Sequence, residues 1–417
     1  MKKLLGLSVF FLITLTACAP TFDTDEEIVQ ETDEEQQPEE EQRFIVSPDS
    51  LDTNDYRMIL PYQTGAARGT ITNQVANRYD IDEFEQGLTR LAKGVFDPDE
   101  YLFQEGQHLD RSNVFSIIDD LNPPRPEDLE EELEDVLEEQ EDATGEDLDE
   151  LEDMEDQITE ELEDYQEANP RVFSHILEQN FLVREGEDRV ELGGVAIGIA
   201  LKSEYAFSVN YGPTYGVPID MDEMLSVGEG VAAEILVQLD ELGLEEFDDT
   251  PILIALYREN DRNAIVPGNF MQQTVVNLNN LNIDEDEGLN PGALEWEGLN
   301  ENNVLFPSNE AEEDYYEDSE MMADFRRGVA DFFPNYVGVV GRGYYKDDEL
   351  RTLNVDIPVE FNGKHEIVGF TQHISSLMVE HFPPYFDLEV KIESPSEVEA
   401  VLFRRAGEEE VTHHIFQ

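Results

Sequence analysis

Cysteine is almost absent: the 417 residues contain one, Cys18. A single thiol excludes an internal disulfide framework, so stability has to come from packing. Basic residues are scarce as well, 25 Lys and Arg against 99 Asp and Glu, for a formal net charge of −74. Nucleic acid is excluded as a partner, because phosphate binding needs clustered cations. Docking of the protein surface on anionic lipid is disfavoured for the same reason. Beyond the first residues no apolar run approaches the roughly 20 residues needed to span a bilayer. Apolar content itself is not lacking. Hydrophobic residues make up 40%, with 23 Phe and 15 Tyr, enough for a sizeable core and too many for a wholly disordered chain.

The one marked apolar run lies in MKKLLGLSVFFLITLTAC, residues 1–18. Lys2 and Lys3 precede it, and it ends in Leu15-Thr16-Ala17-Cys18. A charged start, an apolar core and small residues before a cleavage point make a secretory signal. An uncleaved membrane helix is the alternative, but the run is too short. Leu, a hydroxylated residue, Ala and Cys form the bacterial lipobox. Cleavage between Ala17 and Cys18 is expected, with Cys18 becoming the lipidated first residue. This places the protein on the outer face of the cytoplasmic membrane, attached through its lipid anchor and handled by lipoprotein-processing enzymes.

Residues 18–43 are acidic and Gln-rich and read as an extended disordered spacer. Folded sequence is expected from residue 44, as a first α+β domain over 44–210 and a second over 211–417. Tyr56–Tyr62 reads as a strand, and Asp82 as an N-cap with Glu85 three residues on. Phe84, Leu88, Leu91 and Ala92 share a helical face behind it. A second short helix is predicted over 111–121. Between Arg125 and Arg171 there is no Lys or Arg. Leu129, Leu133 and Val136, then Leu151, Ile158 and Leu162, recur at helical spacing, so residues 126–169 form an acidic helical hairpin inserted in the first domain. The charged faces read as solvated. A calcium-collecting or partner-binding arm is the alternative.

Strand patterns follow at 189–201, 251–258, 336–345, 350–361 and 388–403, with helices at 222–241, 319–332 and 370–381. The mixture is α+β. Phe84-x-x-Gly87-Leu88 is echoed by Phe325-x-x-Gly328-Val329, which points to a tandem repeat of two related α+β domains.

No catalytic constellation stands out. The seven histidines include no H-E-x-x-H and no Cys/His set, so no metal site is predicted. His373 and His381 lie eight apart on one helix and read as surface residues. Asn282-x-Asp284-x-Asp286-x-Gly288 misplaces the glycine and the final Glu of a calcium loop. Gly338-x-x-Gly341-x-Gly343 lies in a strand and cradles no phosphate. No cofactor and no catalytic residue are predicted.

Several stretches together resemble the CamS sex pheromone lipoprotein family of Gram-positive bacteria. They are the lipobox, Tyr56–Pro61, Asn77–Leu88, Tyr101–Gln107 and Ile357–Phe361. The resemblance implies a lipoprotein built from a tandem α+β repeat, a non-enzyme with a binding or structural role. It also implies a second product, a hydrophobic peptide released from the signal sequence to act as a mating signal. Here that peptide corresponds to Phe11, Leu12, Ile13, Thr14, Leu15, Thr16 and Ala17. Thr14 and Thr16 depart from the family's apolar pattern. An extracytoplasmic enzyme acting on the cell wall or a solute is the alternative function.

The charge also describes a habitat. At about 1 M salt the Debye length falls to about 3 Å and most self-repulsion is screened. High external salt is the favoured reading and an alkaline medium the alternative. The folded protein is therefore expected to melt at higher temperature in molar salt than in dilute buffer. A melting point that is flat or falls with salt contradicts this.

Overall fold

The computed structural model describes residues 27–30, 43–46 and 55–416, apart from 142, 187–188, 242–246, 248, 285–287, 333–337 and 361–362. The predicted signal, and with it every residue from Phe11 to Cys18, lies outside the described residues.

The first sheet is nucleated by two long neighbours, β5 (Phe173–Glu185) and β6 (Arg189–Leu201), which pair antiparallel. Next to β6 lies β9 (Ile252–Arg258), parallel, and then β10 (Asn269–Val276) and β11 (Glu297–Gly298), antiparallel. On the far side of β5 come β4 (Leu102–Glu105), β3 (Arg57–Leu60), β2 (Arg43–Val46) and β1 (Glu27–Gln30). The β1 strand returns to pair in parallel with Arg189 and Val190 of β6. Glu27–Gln30 fall inside the stretch expected to be a disordered spacer. Ile28 and Val29 are a β-branched pair within that acidic run, and they suit a strand.

Both faces of β6 and β9 are buried, which explains their near-continuous apolar sequence. Ala196, Ala200, Leu253, Ala255 and Tyr257 face helix α2 (Arg78–Ala92), which contributes Phe84 and Leu88. Ile197, Ile199, Ile252, Ile254 and Leu256 face the other way, in a core shared with α6 (Met221–Glu241) and α3 (Arg111–Asp120). Small residues thus line the α2 side. A Cβ on Gly198 would lie 2.7 Å from the Phe84 ring, so glycine sets how closely α2 approaches. The N-cap of α2 is Asn77, accepting from Tyr79 N–H, rather than Asp82, and the helix begins a turn earlier than the sequence pattern indicates. A short α1 (Ile71–Gln74) precedes it.

The acidic insert is the predicted hairpin, α4 (Glu127–Gln140) and α5 (Glu146–Ala168), turning at Gly145 with φ +70°. Leu133, Val136, Ile158 and Leu162 are its buried stripe, and they join the core on the α3 and α6 side. The charged faces are left to solvent. Two strands, β7 (Glu204–Phe207) and β8 (Tyr215–Pro218), form a separate hairpin after β6.

A second sheet follows: β12 (Glu301–Phe306), β13 (Val340–Lys346), β14 (Glu349–Pro358), β15 (Asp387–Glu393), β16 (Val398–Arg404) and β17 (Thr412–Ile415). After β12 come α7 (Asn309–Asp314) and α8 (Tyr316–Phe332), while α9 (Lys364–His381) connects β14 to β15. Its order β12-β13-β14-β15-β16-β17 repeats that of β4-β5-β6-β9-β10-β11. The senses also repeat: two antiparallel pairings, one parallel, two antiparallel. In each sheet a helix, α6 or α9, crosses over between the parallel strands, as parallel pairing requires.

The tandem α+β repeat is therefore present, with two corrections. The sheets divide between Gly298 and Glu301, not at 210/211, because β9 and β10 belong to the first sheet and α6 is its crossover. The echo between Phe84 and Phe325 also pairs helices in different places. The topological partner of α8 is α3, whereas α2 covers the opposite face of the first sheet.

A charged knot joins the repeats, and Arg342 of β13 adds a second contact, 5.3 Å from the centre of the Tyr79 ring of α2. Arg90 of α2 reaches Glu83 at 2.7 Å and Glu301 of β12 at 3.1 Å. Its guanidinium lies 4.2 Å from the centre of the Tyr344 ring, and Tyr344 donates to Glu301 at 2.7 Å. Nearby, Asn303 Nδ2 donates to Gly268 O at 2.7 Å. Removing the cation leaves the half-buried carboxylate of Glu83 and the buried one of Glu301 without a positive partner, Glu301 keeping the Tyr344 hydroxyl. Arg90→Met is expected to cost about 3 kcal/mol in urea unfolding. A loss near zero would show that the knot is dispensable.

A second buried carboxylate fixes the α2 N-terminus. Asp80 accepts from Tyr257 Oη at 2.8 Å and from the N–H groups of Gly268 and Asn260 at 2.7 and 3.2 Å. Beside it Glu259 is buried with Oε1 unpartnered, and burial pushes its carboxyl up to about 7. The fold thus keeps Glu259 protonated where the unfolded chain, ionising near 4.5, has lost the proton. That penalty grows as pH rises from 4.5 through 7. Glu259→Gln is expected to stabilise the protein by about 3 kcal/mol at about pH 8 and to change little near pH 5. Equal effects at both pH values would refute the assignment.

Candidate functional site

A cleft in the first repeat follows from a mismatch of strand length. The β4 strand has four residues and β5 thirteen, so β4 covers only Gln179–Leu182. One further bond, Gly106 N–H to Glu178 O at 3.1 Å, ends the ladder. Alternation aims the N–H and C=O of Ile176 toward this same edge, where no strand continues. A cleft of about 410 Å³ occupies the place, bounded by the 65–71 loop, the middle of α2, the start of α3 and residues 175–179 of β5. That volume lies in the range of small-ligand sites.

The loop is positioned by Glu105, whose carboxylate accepts from Tyr62 Oη and from Gly65 N–H, and by Ala66 N–H donating to Gly106 O at 2.9 Å. Burial, with the Glu105 carboxylate, pushes the Tyr62 hydroxyl up to about 12. The far wall is held by Glu178. Its carboxylate accepts from Leu109 N–H at 2.8 Å and from the N–H groups of His108 and Gln107 at about 3.1 Å, and it pairs with His108 Nδ1 at 2.6 Å. Burial alone would raise the Glu178 carboxyl, but the His108 ring and these donors outweigh it and hold it below the ordinary range. Glu178 therefore stays ionised and fully engaged. A Cβ on Gly106 would lie 2.6 Å from Glu178, so only glycine passes here.

His175 is different. It is 2% exposed, it lines the cleft, and its Nδ1 has no partner. Burial lowers its pKa to about 4, which keeps the ring neutral with one donor and one acceptor. Thr89 and Gln179 close the α2 side through a 3.0 Å bond, and Gln179 Nε2 also donates to Glu85 O at 2.9 Å. At the mouth sits the exposed carboxylate of Glu85. Partial burial, with Glu105 and Asp82 nearby, raises its pKa. Phe103, Leu109, Val114 and Ile71 make the walls apolar.

None of these residues was marked as a functional site in the sequence: Glu85 reads there as a capping partner of Asp82, and Phe103, Glu105 and Gly106 enter only within the stretch Tyr101–Gln107 that carries the resemblance. The signal was a run of polar residues, His175, Glu178, Gln179 and Asn180, inside the apolar stretch from Val172 to Leu182. The residues that were marked lie elsewhere. His373 Nε2 contacts Gly328 O at 3.0 Å, where α9 crosses α8. Gly341 and Gly343 lie within β13, as expected. Asp284 and Gly288 exchange backbone hydrogen bonds at 3.0 and 2.9 Å, and Asp286 lies outside the described residues. Among the described residues no group of three or more His, Cys, Asp or Glu could hold a metal, and no helix is long and apolar enough to cross a membrane.

The fold has known counterparts. A crystal structure of a sex pheromone precursor from Lactobacillus salivarius subsp. salivarius is 23% identical with a TM-score of 0.71. The match covers 90% of this chain and 99% of that one. The C-terminal domain of the sex pheromone staph-cAM373 precursor from Staphylococcus aureus is 25% identical with a TM-score of 0.61, over 83% and 99% of the two chains. No curated protein matches the chain. The family model described as CamS sex pheromone cAM373 precursor matches residues 62–410, and the chain therefore belongs to the CamS family.

Proposed function

We propose that this chain is the precursor of a lipid-anchored protein on the outer face of the cytoplasmic membrane, with a ligand-binding mature part. The observation that carries the reading is the lipobox Leu15-Thr16-Ala17-Cys18, standing ahead of a chain that matches the precursor family from residue 62 to 410. In this reading the peptidase cuts before Cys18, and the segment Phe11–Ala17 is released as a hydrophobic peptide. Lipoprotein-processing enzymes are then the obligatory partners, and the acidic residues after Cys18 space the repeats from the bilayer. The cleft beside β5 supplies the binding site. Its deepest carboxylate, Glu178, has its lone pairs committed to His108 and three N–H groups, an arrangement suited to holding a wall rather than to moving protons.

Mass spectrometry of membranes and culture supernatant tests this. A diacylglyceryl Cys18 at the mature terminus, together with the peptide ending at Ala17 in the supernatant, is the expected result. Cys18→Ala is expected to abolish both. Lipidated Cys18 with no recoverable peptide would remove the signalling half of the reading. An unmodified Cys18 in membrane-bound protein would remove the anchor.

A further inference from the structure

The unfilled edge of β5 has a defined chemistry, and it specifies more than a generic ligand. By alternation the Ile176 N–H and C=O are directed to the edge of β5 beyond Gly106, where no strand among the described residues pairs with them. Ile176 is 1% exposed, so these groups are not compensated by bulk water. Main-chain groups arrayed along an open strand edge are the recognition surface for an extended peptide. His175, which lines the same cleft, adds a second unmet demand, a buried Nδ1 with no partner.

Charge sets the polarity of the occupant. Glu85 and Glu105 stand at the mouth, with Arg68 as the basic residue of the lining, on a chain of net charge −74. Glu85 makes no ion pair within the described residues; partial burial, then the Glu105 and Asp82 carboxylates, disfavour its charged form, with Arg78 opposing them. An ammonium group placed there would relieve that repulsion. The apolar walls of Phe103, Leu109 and Val114 ask for one hydrocarbon side chain. A volume of about 410 Å³ suits a di- or tripeptide rather than a long segment.

We propose that the cleft takes the free amino terminus of a short peptide. The ammonium meets Glu85 and Glu105, the backbone pairs with Ile176, a first apolar side chain enters between Phe103 and Val114, and a polar group of the peptide meets His175. This rests on the reading of the cleft as the binding site of the mature protein, and it names the ligand class.

The test uses the purified mature chain and three probes: alanyl-leucyl-alanine amide, its N-acetyl counterpart, and an uncharged apolar fluorophore. Calorimetric titration and fluorophore displacement are read in low salt. The free-amine peptide is expected to bind and to displace the fluorophore, with N-acetylation weakening it about tenfold or more, as loss of a charge-assisted bond implies. Glu85→Gln, at the exposed mouth, should weaken the free amine and leave the acetylated peptide unchanged. His175→Phe should block both peptides, with circular dichroism confirming the fold. Equal affinity of the two peptides would overturn amine recognition. A bound fluorophore that neither peptide displaces would overturn the peptide class and leave a binding cleft. Failure of all three probes on the wild-type protein would overturn the cleft reading as well.

Discussion

The Arg90 guanidinium is the interaction on which the arrangement of the two repeats depends. It pairs with Glu83 of its own helix and with Glu301 at the first residue of β12, and it lies over the Tyr344 ring. A planar cation with several donors suits this place, because it can serve two carboxylates and stack on a ring at once. With 25 cations for 99 acids, where each cation is spent matters. Arg171 closes the base of the acidic hairpin by donating to Pro123 O and Asp119. Lys364 holds the buried carboxylate of Glu399, and Arg342 and Lys391 share Asp356 across the second sheet. Glu301, Glu399 and Asp356, acids drawn inward, each meet a cation, while other cations pair with exposed acids such as Asp119 and Asp82.

The acidic hairpin has no cation of its own between Arg125 and Arg171. Its apolar stripe is thin, and like charges at i,i+4 oppose the helices. Docking of Leu133, Val136, Ile158 and Leu162 into the main core offsets this, and helices of this kind owe their stability to packing. Tyr165 Oη donating to Pro124 O at 3.0 Å ties the end of the hairpin back to its start.

Much of the fold was legible because periodicity reports burial. The helices of the insert, α3, α6 and α8, and strands β6, β9, β13 and β14 all carry clear apolar spacing. The β5 strand was missed because its polar residues break the alternation, and those residues make the cleft. The repeat was legible as a Phe-x-x-Gly echo, yet the echo joined the wrong helices. Helix–sheet packing asks for the same residues on either face of a sheet, and sequence does not say which face is covered. The domain boundary was misplaced for a related reason. Only strand pairing shows that the chain returns to the same sheet after residue 211. The knot at Arg90 joins residues 83, 90, 301 and 344, a separation that local patterns do not report.

The β1 strand has a mechanical consequence. It is tied to β2 through three residue pairs and to β6 through Val29 and Gln30. A pull on the chain before Glu27 reaches the folded part through this strand. The force is shared between two neighbours and delivered to β6, the strand that also carries the parallel pairing with β9. Detachment of β1 under tension would be a rate process set by the barrier to breaking these few pairings, and not by the equilibrium stability of the repeats.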